Sequence, residues 1–280
     1  WFIAIALTLS STIIVVKLLS EKRQLESLYG RIAVSILLVQ DFAAILALLL
    51  LETFGRAHGM NVPWIDIGLL LIKTVVIGGA AFVLAKYVFR NIFLFIGRSQ
   101  ELLFLWSIAW CILFAAIALL WDYPMAISVF FAGISIGSLE YNHEIASRIR
   151  SLRDFFIVLF FIVLGSQMQI GNIGPVLAPT IVLSLFVLLV HPFILYFIMR
   201  RMKYTRRNSL LASITMTQIS EFGFILVFKA QSLGYLHGNE VSILTAVALT
   251  TIIISSYLIT YNEIIYRKLL PFFERFGRDK

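Results

Sequence analysis

The chain is a succession of long apolar blocks separated by short polar connectors. Nine blocks meet or approach the roughly 20 residues that a helix needs to cross a hydrocarbon layer about 30 Å thick. They are Phe2–Leu19, Arg31–Leu51, Ile65–Phe89, Glu101–Leu120, Pro124–Leu139, Asp154–Met168, Val176–Met199, Ser209–Gln231 and Val241–Tyr261. The sixth is short, as a tilted or only partly apolar segment would be. The pattern predicts an all-α polytopic membrane protein with about nine spans.

Charge tests that division. One set of connectors holds Lys22, Arg23 and Arg31; Lys86, Arg90 and Arg98; Arg148, Arg150 and Arg153; Arg200, Arg201, Lys203, Arg206 and Arg207; and Arg267, Lys268, Arg275, Arg278 and Lys280. These are nineteen of the 23 basic residues. The other set holds only Arg56. The positive-inside rule places the first set in the cytoplasm, with Trp1 outside and Lys280 inside. A wrong span count would scramble this alternation.

Composition agrees, with 60% hydrophobic and 14% charged residues. The net charge of +8 is then an orienting signal and an attraction to anionic lipid, and it needs no nucleic acid. The single Cys111 forms no intrachain disulfide. The first block has no basic segment before it and no small-residue cleavage site after it, so it does not read as a cleavable signal. Because the sequence starts at Trp1, further N-terminal helices are expected ahead of it.

Ionisable groups at bilayer depth are functional candidates by default. Asp41 lies in the second block, roughly 15 Å from its cytoplasmic end at 1.5 Å per residue. A structural carboxylate is the plain alternative, but an apolar or amide residue would hold a helix at lower cost. Glu221 lies in Thr215-Met216-Thr217-Gln218-Ile219-Ser220-Glu221, the least helix-like stretch in the chain. Interrupted helices with freed backbone groups are how transporters build ion sites near the midplane; a polar seam between helices is the alternative. Ser10-Ser11-Thr12 interrupts the first block, although serine and threonine often bond their own helix. His191 precedes Pro192, which has no N–H for the carbonyl of Leu188 and should kink the seventh block. His191 has two readings, a partner for a carboxylate or for a hydroxyl. Blocks one, two, seven and eight thus share polar groups at one depth. Blocks three to six do not, except for Lys73, whose long stem reaches toward the outer interface.

Several segments together resemble the monovalent cation:proton antiporter-2 family, in particular its Kef-type potassium/proton members, with a sodium/hydrogen exchanger-like transmembrane domain. They are Ser10-Ser11-Thr12-Ile13-Ile14-Val15-Val16-Lys17-Leu18-Leu19; Gly30-Arg31 followed by Gln40-Asp41-Phe42-Ala43-Ala44; Phe131-Ala132-Gly133 leading to Glu140-Tyr141-Asn142-His143-Glu144; Leu159-Phe160-Phe161-Ile162-Val163-Leu164-Gly165; and Gln218-Ile219-Ser220-Glu221-Phe222-Gly223-Phe224. The resemblance covers nearly the whole chain. It implies an NhaA-type antiporter fold of thirteen helices, with inverted repeats and two crossing discontinuous helices, of which about four N-terminal helices are missing here. It divides the chain into a first part of the ion-translocating core (1–51), an external loop and linker helix (52–90), dimerisation-domain helices (91–168), a second part of the core (169–265) and a basic cytoplasmic stub (266–280). It implies a homodimer in the lipid bilayer of a bacterial or archaeal plasma membrane, with a cytoplasmic regulatory domain beyond this chain. Two positions depart from the family pattern. A Gly-Gly-Glu-Phe-like stretch reads Ile219-Ser220-Glu221-Phe222, and a lysine common beside the aspartate is His191.

The function expected is exchange of a monovalent cation, potassium first and sodium second, for protons, with no resident cofactor and no enzyme activity. Asp41 is expected to bind either a cation or a proton, with Gln40, Ser11 and Thr12 supplying neutral oxygens. Glu221, Gln218, Ser220 and Ser10 support the interrupted helices or balance charge, and a protonated His191 pairs with Asp41 when no cation is bound. One buried carboxylate in the second span favours electroneutral exchange. A cation channel and a sodium-coupled solute symporter are the rivals. Gly133-Ile134-Ser135-Ile136-Gly137 formally matches a hydrolase nucleophile elbow, but that motif needs a strand–turn–helix. The two glycines are expected to form a small-residue packing face instead.

Overall fold

The computed structural model describes residues 2–56, 64–89, 99–139, 142–166, 174–236 and 238–274. The described residues are helices joined by short turns, and they form two compact units. One comprises Trp1–Leu51 with Gly165–Lys280; the other is Glu52–Leu164.

The first unit contains α1 (Phe2–Thr8), α2 (Thr12–Glu21) and most of α3 (Leu28–Arg56). After the second unit it resumes with α8 (Gly174–Leu185), a π-helical turn at Phe186–Val190, α9 (His191–Arg201), α10 (Arg206–Thr215), α11 (Glu221–Ser232), α12 (Glu240–Thr260) and α13 (Asn262–Glu274). The second unit contains α4 (Trp64–Leu84), which ends in a π-helical turn at Ala85–Phe89, α5 (Gln100–Leu120), α6 (Met125–Gly137) and nearly all of α7 (Asn142–Ser166).

Among the described residues, five helical stretches are long and apolar enough to cross a membrane: Leu28–Leu51, Ile67–Tyr87, Glu101–Leu120, Gly174–Arg201 and Glu240–Thr260. The protein is therefore an integral membrane protein. The other four expected spans take different forms. The first and eighth are each broken in two, as α1–α2 and α10–α11. The fifth is the 13-residue α6. The sixth is the apolar end of α7, whose first half carries Glu144, Arg148, Arg150 and Arg153; Met168 lies outside the described residues.

Pro192 acts as its lack of an N–H requires, one turn earlier than the proline itself. The His191 N–H donates to the Phe186 carbonyl, a five-residue bond that makes the π turn. The stretch Gly174–Arg201 thereby stays helical across a proline that removes a bond.

In the first unit, α1 packs on α11, α8 on α12, and α10 on α9, α12 and α13. Val15, Leu19, Tyr29, Leu37, Met199, Leu211 and Met216 form one buried apolar cluster joining α2, α3, α9 and α10. Leu48 and Leu51 of α3 pack with Leu226 and Ala230 of α11 in another. Gly30, at the entry to α3, leaves no choice of residue: a Cβ there would lie 2.2 Å from the Gln24 carbonyl oxygen.

In the second unit α6 packs against α4 and α5. Trp110 Nε1 donates to Ser135 Oγ (3.2 Å), and Ser128 Oγ donates to the Phe114 carbonyl (2.7 Å). Lys73 Nζ reaches the Trp121 carbonyl at the end of α5 (2.8 Å), so its stem carries the charge to that end of the span. Gly133 and Gly137 meet no packing partner among the described residues of their own chain. Both sit on the exposed side of α6, and a Cβ on either would meet nothing within 4 Å. Ala132, Ser135 and Ile136 form the buried side, and the close glycine contact is that of Gly78 with the Phe131 ring.

One basic side chain ties the ends of the first unit together. Lys22, just past α2, donates from Nζ to the carbonyls of Ile259 (2.8 Å) and Thr260 (3.2 Å) and to Asn262 Oδ1 (2.7 Å). It thus caps the negative end of α12. Burial pushes its ammonium below the ordinary lysine range, and Glu263 opposes that shift. Arg207 and Glu263 pair at the same end. Replacing Lys22 with methionine keeps the stem and removes these charge-assisted bonds. It is expected to cost about 1–2 kcal/mol, read as a lower melting temperature of the purified full-length protein. An unchanged melt would show that water caps α12 equally well.

Candidate functional site

The site is built where two helices are interrupted. α1 stops at Thr8 and α2 starts at Thr12; α10 stops at Thr215 and α11 starts at Glu221. Polar side chains able to bond the backbone locally make the break possible in each case. Ser11 is extended (φ −71°, ψ 116°), and its Oγ accepts the Ile14 N–H as the N-cap of α2. Ser220 is extended (φ −79°, ψ 147°), and its Oγ accepts the Phe222 N–H at the start of α11. The glycine pair of the family pattern is not needed for this break. A serine cap in an extended conformation accomplishes it.

The two unwound segments cross antiparallel. Ser10 and Ile219 form an isolated antiparallel bridge, and the Ser220 N–H donates to the Leu9 carbonyl (2.9 Å). Ser10 Oγ donates to the Met216 carbonyl (2.9 Å). Beside the crossing, Gly223 lets α1 and α11 touch: a Cβ there would lie 3.0 Å from the Ala6 carbonyl oxygen.

Gln40 and Asp41 of α3 face the first break. Gln40 Oε1 accepts the Ser10 N–H (3.2 Å), and its Nε2 donates to the Thr8 carbonyl (3.3 Å). These are backbone groups that lost helical partners when the helix unwound, so the Gln40 amide splints the gap. Asp41 is 7% exposed, and its Oδ2 accepts a hydrogen bond from Thr12 Oγ1 (2.8 Å). No basic side chain pairs with it among the described residues. Glu221 is the first residue of α11, where the helix dipole favours an anion. Its carboxyl is near Ser11, the Ile13 backbone and Asp41.

The structure therefore brings together Ser10, Ser11, Thr12, Gln40, Asp41, Ser220 and Glu221. Gln218 belongs to the same unwound segment, but its side chain turns to α12, where its Oε1 accepts a hydrogen bond from Ser255 (2.8 Å). His191 follows the π turn and makes no ion pair with Asp41; its Nδ1 is buried without a partner among the described residues. Ser255 escaped the sequence reading. The Ser255-Ser256 pair stands in a block that also holds Thr245, Thr250 and Thr251, and residue type does not tell which of these hydroxyls meets the crossing. Among the described residues, no three His, Cys, Asp or Glu side chains gather as a metal site.

Comparison with known proteins matches residues 1–261 to the transmembrane region of sodium/hydrogen exchangers. The chain belongs to the sodium/hydrogen exchanger family. This is a family of transporters, so the hydrolase motif has no catalytic meaning, and Ser135 lies inside the unbroken helix α6. A curated relative is K(+) efflux antiporter 5 of Arabidopsis thaliana, 27% identical over 260 residues. The match covers 89% of this chain and 45% of that relative, so the chain spans about half its length.

The crossing makes a packing prediction for this chain. Gly223→Val forces atoms into the Ala6 backbone and is expected to destabilise the protein by about 1–3 kcal/mol. Gly137→Ala, which adds a methyl group in open space, leaves the thermal melt within error of the parent. Equal melts for all three proteins would mean that α1 and α11 do not touch at Gly223.

Proposed function

We propose that this chain is most of the membrane part of a monovalent cation/proton antiporter, in which Asp41 holds a cation or a proton but never both. The observation that carries this reading is a buried carboxylate with one hydroxyl partner and, among the described residues, no basic one, held against the crossing of two interrupted helices. A carboxylate so placed requires a counter-charge, because an unpaired charge is costly away from water. A dehydrated cation and a proton are the two small charges that satisfy it. Their competition couples the two fluxes.

The antiparallel crossing supports an NhaA-type arrangement of inverted repeats, with nine spans from this chain and a cytoplasmic C-terminus. In this reading the first compact unit is the ion-translocating core. The second supplies the linker and the contacts of a homodimer in a plasma membrane, and a regulatory domain follows Lys280. Gln40, Ser11 and Thr12 contribute oxygens, and Ser10, Gln218 and Ser220 hold the unwound segments. His191, opposite the family's lysine, answers the charge of Asp41 in other conformations of the cycle. Pro192 sets the kink. Potassium is the first choice of cation, from the Gln40-Asp41 pair and the named substrate of the curated relative, and sodium the second. A single exchanged charge makes the transport electroneutral.

In proteoliposomes of the full-length protein, Asp41→Asn is expected to abolish potassium- or sodium-driven proton movement. Exchange near the parent's rate would overturn the assignment of Asp41. Assaying potassium, sodium and lithium side by side ranks the ions, and an electrogenic cation current without proton counterflow would favour a channel instead.

Glu221, at the positive end of α11, is proposed to stabilise the break rather than to carry the ion. Glu221→Gln keeps the hydrogen-bonding shape and is expected to slow exchange without abolishing it. Complete loss in a folded protein with Asp41 intact would exchange the two roles.

A further inference from the structure

Five buried polar atoms take no part in the crossing. Thr180 Oγ1 and Ser184 Oγ of α8, Thr245 Oγ1 of α12, His191 Nδ1 and Gln218 Nε2 have no hydrogen-bond partner among the described residues. Thr180, Ser184, Thr245 and Gln218 are 8%, 4%, 1% and 0% exposed. A hydroxyl in an apolar helix ordinarily donates to its own preceding turn. Ser107 and Thr215 do so here, to the carbonyls of Leu103 and Leu211. Thr180, Ser184 and Thr245 do not; nor does Ser209, which stands apart from them near the start of α10.

Their placement is ordered. α8 and the following π turn pack against α12. The C-terminal ends of α9 and α12 lie together, because Arg207 at the start of α10 pairs with Glu263 just past α12. The starts of α8 and α12 therefore share the opposite face. Thr180 stands six residues into α8 and Thr245 five residues into α12. From Thr180 to His191 is roughly 16 Å, and from Thr245 to Ser255 roughly 15 Å, at 1.5 Å per residue. Both rows thus run from one layer near that face to a deeper one. Ser255 marks the inner end, where it holds one end of the Gln218 amide and leaves the other bare. The π turn adds a backbone acceptor between Ser184 and His191. The His191 N–H is given to Phe186 and Pro192 has none, so the Val187 carbonyl lacks the donors four and five residues on.

We infer that the α8–α12 seam binds a file of water, running from the face opposite Lys22 to His191 and Gln218, and that this file brings protons toward Asp41 by way of His191, apart from the cation's own entry. Buried polar groups are satisfied by protein or by ordered water. A row of hydroxyls is a suitable lining, since each donates and accepts. The wet seam follows from the orphaned atoms alone. Its use by protons rests on the antiport reading.

Silver ion, a water-sized thiol probe, tests the seam without transport. In the full-length protein carrying Cys111→Ser, Thr245→Cys and Ser184→Cys are expected to react at least ten times faster than Val247→Cys. Val247 is equally buried at nearly the same depth but lies on another side of α12. Thr180→Cys replaces either variant if it fails to fold. Rates no faster than that of Val247→Cys would show a dry seam and overturn the proposal. The double variant Ser184→Ala with Thr245→Val is expected to slow proton-driven exchange at least threefold, with the cation KM unchanged. A reactive seam with an unchanged rate would overturn the proton route while leaving the water. Loss of the antiport reading would show differently, as absence of exchange in the parent.

Discussion

The fold depends on what becomes of the backbone groups freed when two helices break inside a membrane. No bulk water is available there, and an unpaired N–H or carbonyl is costly. Each break therefore has to be closed by protein atoms or by bound water. The two breaks close one another through the Ser10–Ile219 bridge and the Leu9–Ser220 bond. Gln40 closes the remainder of the first break from α3 with both ends of its amide. Ser11 and Ser220 cap the restarting helices. The proposed ion site is consequently also a site at which the chain is cross-braced.

This arrangement also explains why Asp41 lies where it does. Gln40 must meet the first break to splint it, and the next residue of the same helix turn then lies beside Thr12. The hydroxyl of Thr12 opens α2, so the carboxylate faces the positive end of a helix without touching a full positive charge. A lysine or arginine there would satisfy Asp41 permanently. A hydroxyl and a helix end stabilise negative charge while leaving it open to exchange.

Much of this was legible in the sequence. Long apolar blocks and the alternation of basic connectors announced a polytopic membrane protein. Ser10-Ser11-Thr12 and Thr217-Gln218-Ile219-Ser220-Glu221 marked the two breaks, because such residues bond a backbone that has left the helix. Pro192 announced a distortion but not its form, since the π turn depends on where the His191 N–H finds an acceptor. The partners were hidden. Residue type does not tell that Gln40 spends its amide on the Ser10 and Thr8 backbone, or that Gln218 turns to Ser255. Both follow from how α3 and α12 lie against the breaks. Gly133 and Gly137 mark one face of a helix, but spacing does not say which neighbour, if any, covers it.

The central claim is that one carboxylate is contested by a cation and a proton. Proton release on cation binding measures it most directly. Potassium chloride is added to the detergent-purified full-length protein in weak buffer while a pH indicator is followed, and sodium chloride is then tested in the same way. The account predicts one proton released for each cation bound, and none from Asp41→Asn. Saturable cation binding with no proton released, at a pH where Asp41 is protonated without the cation, would contradict it.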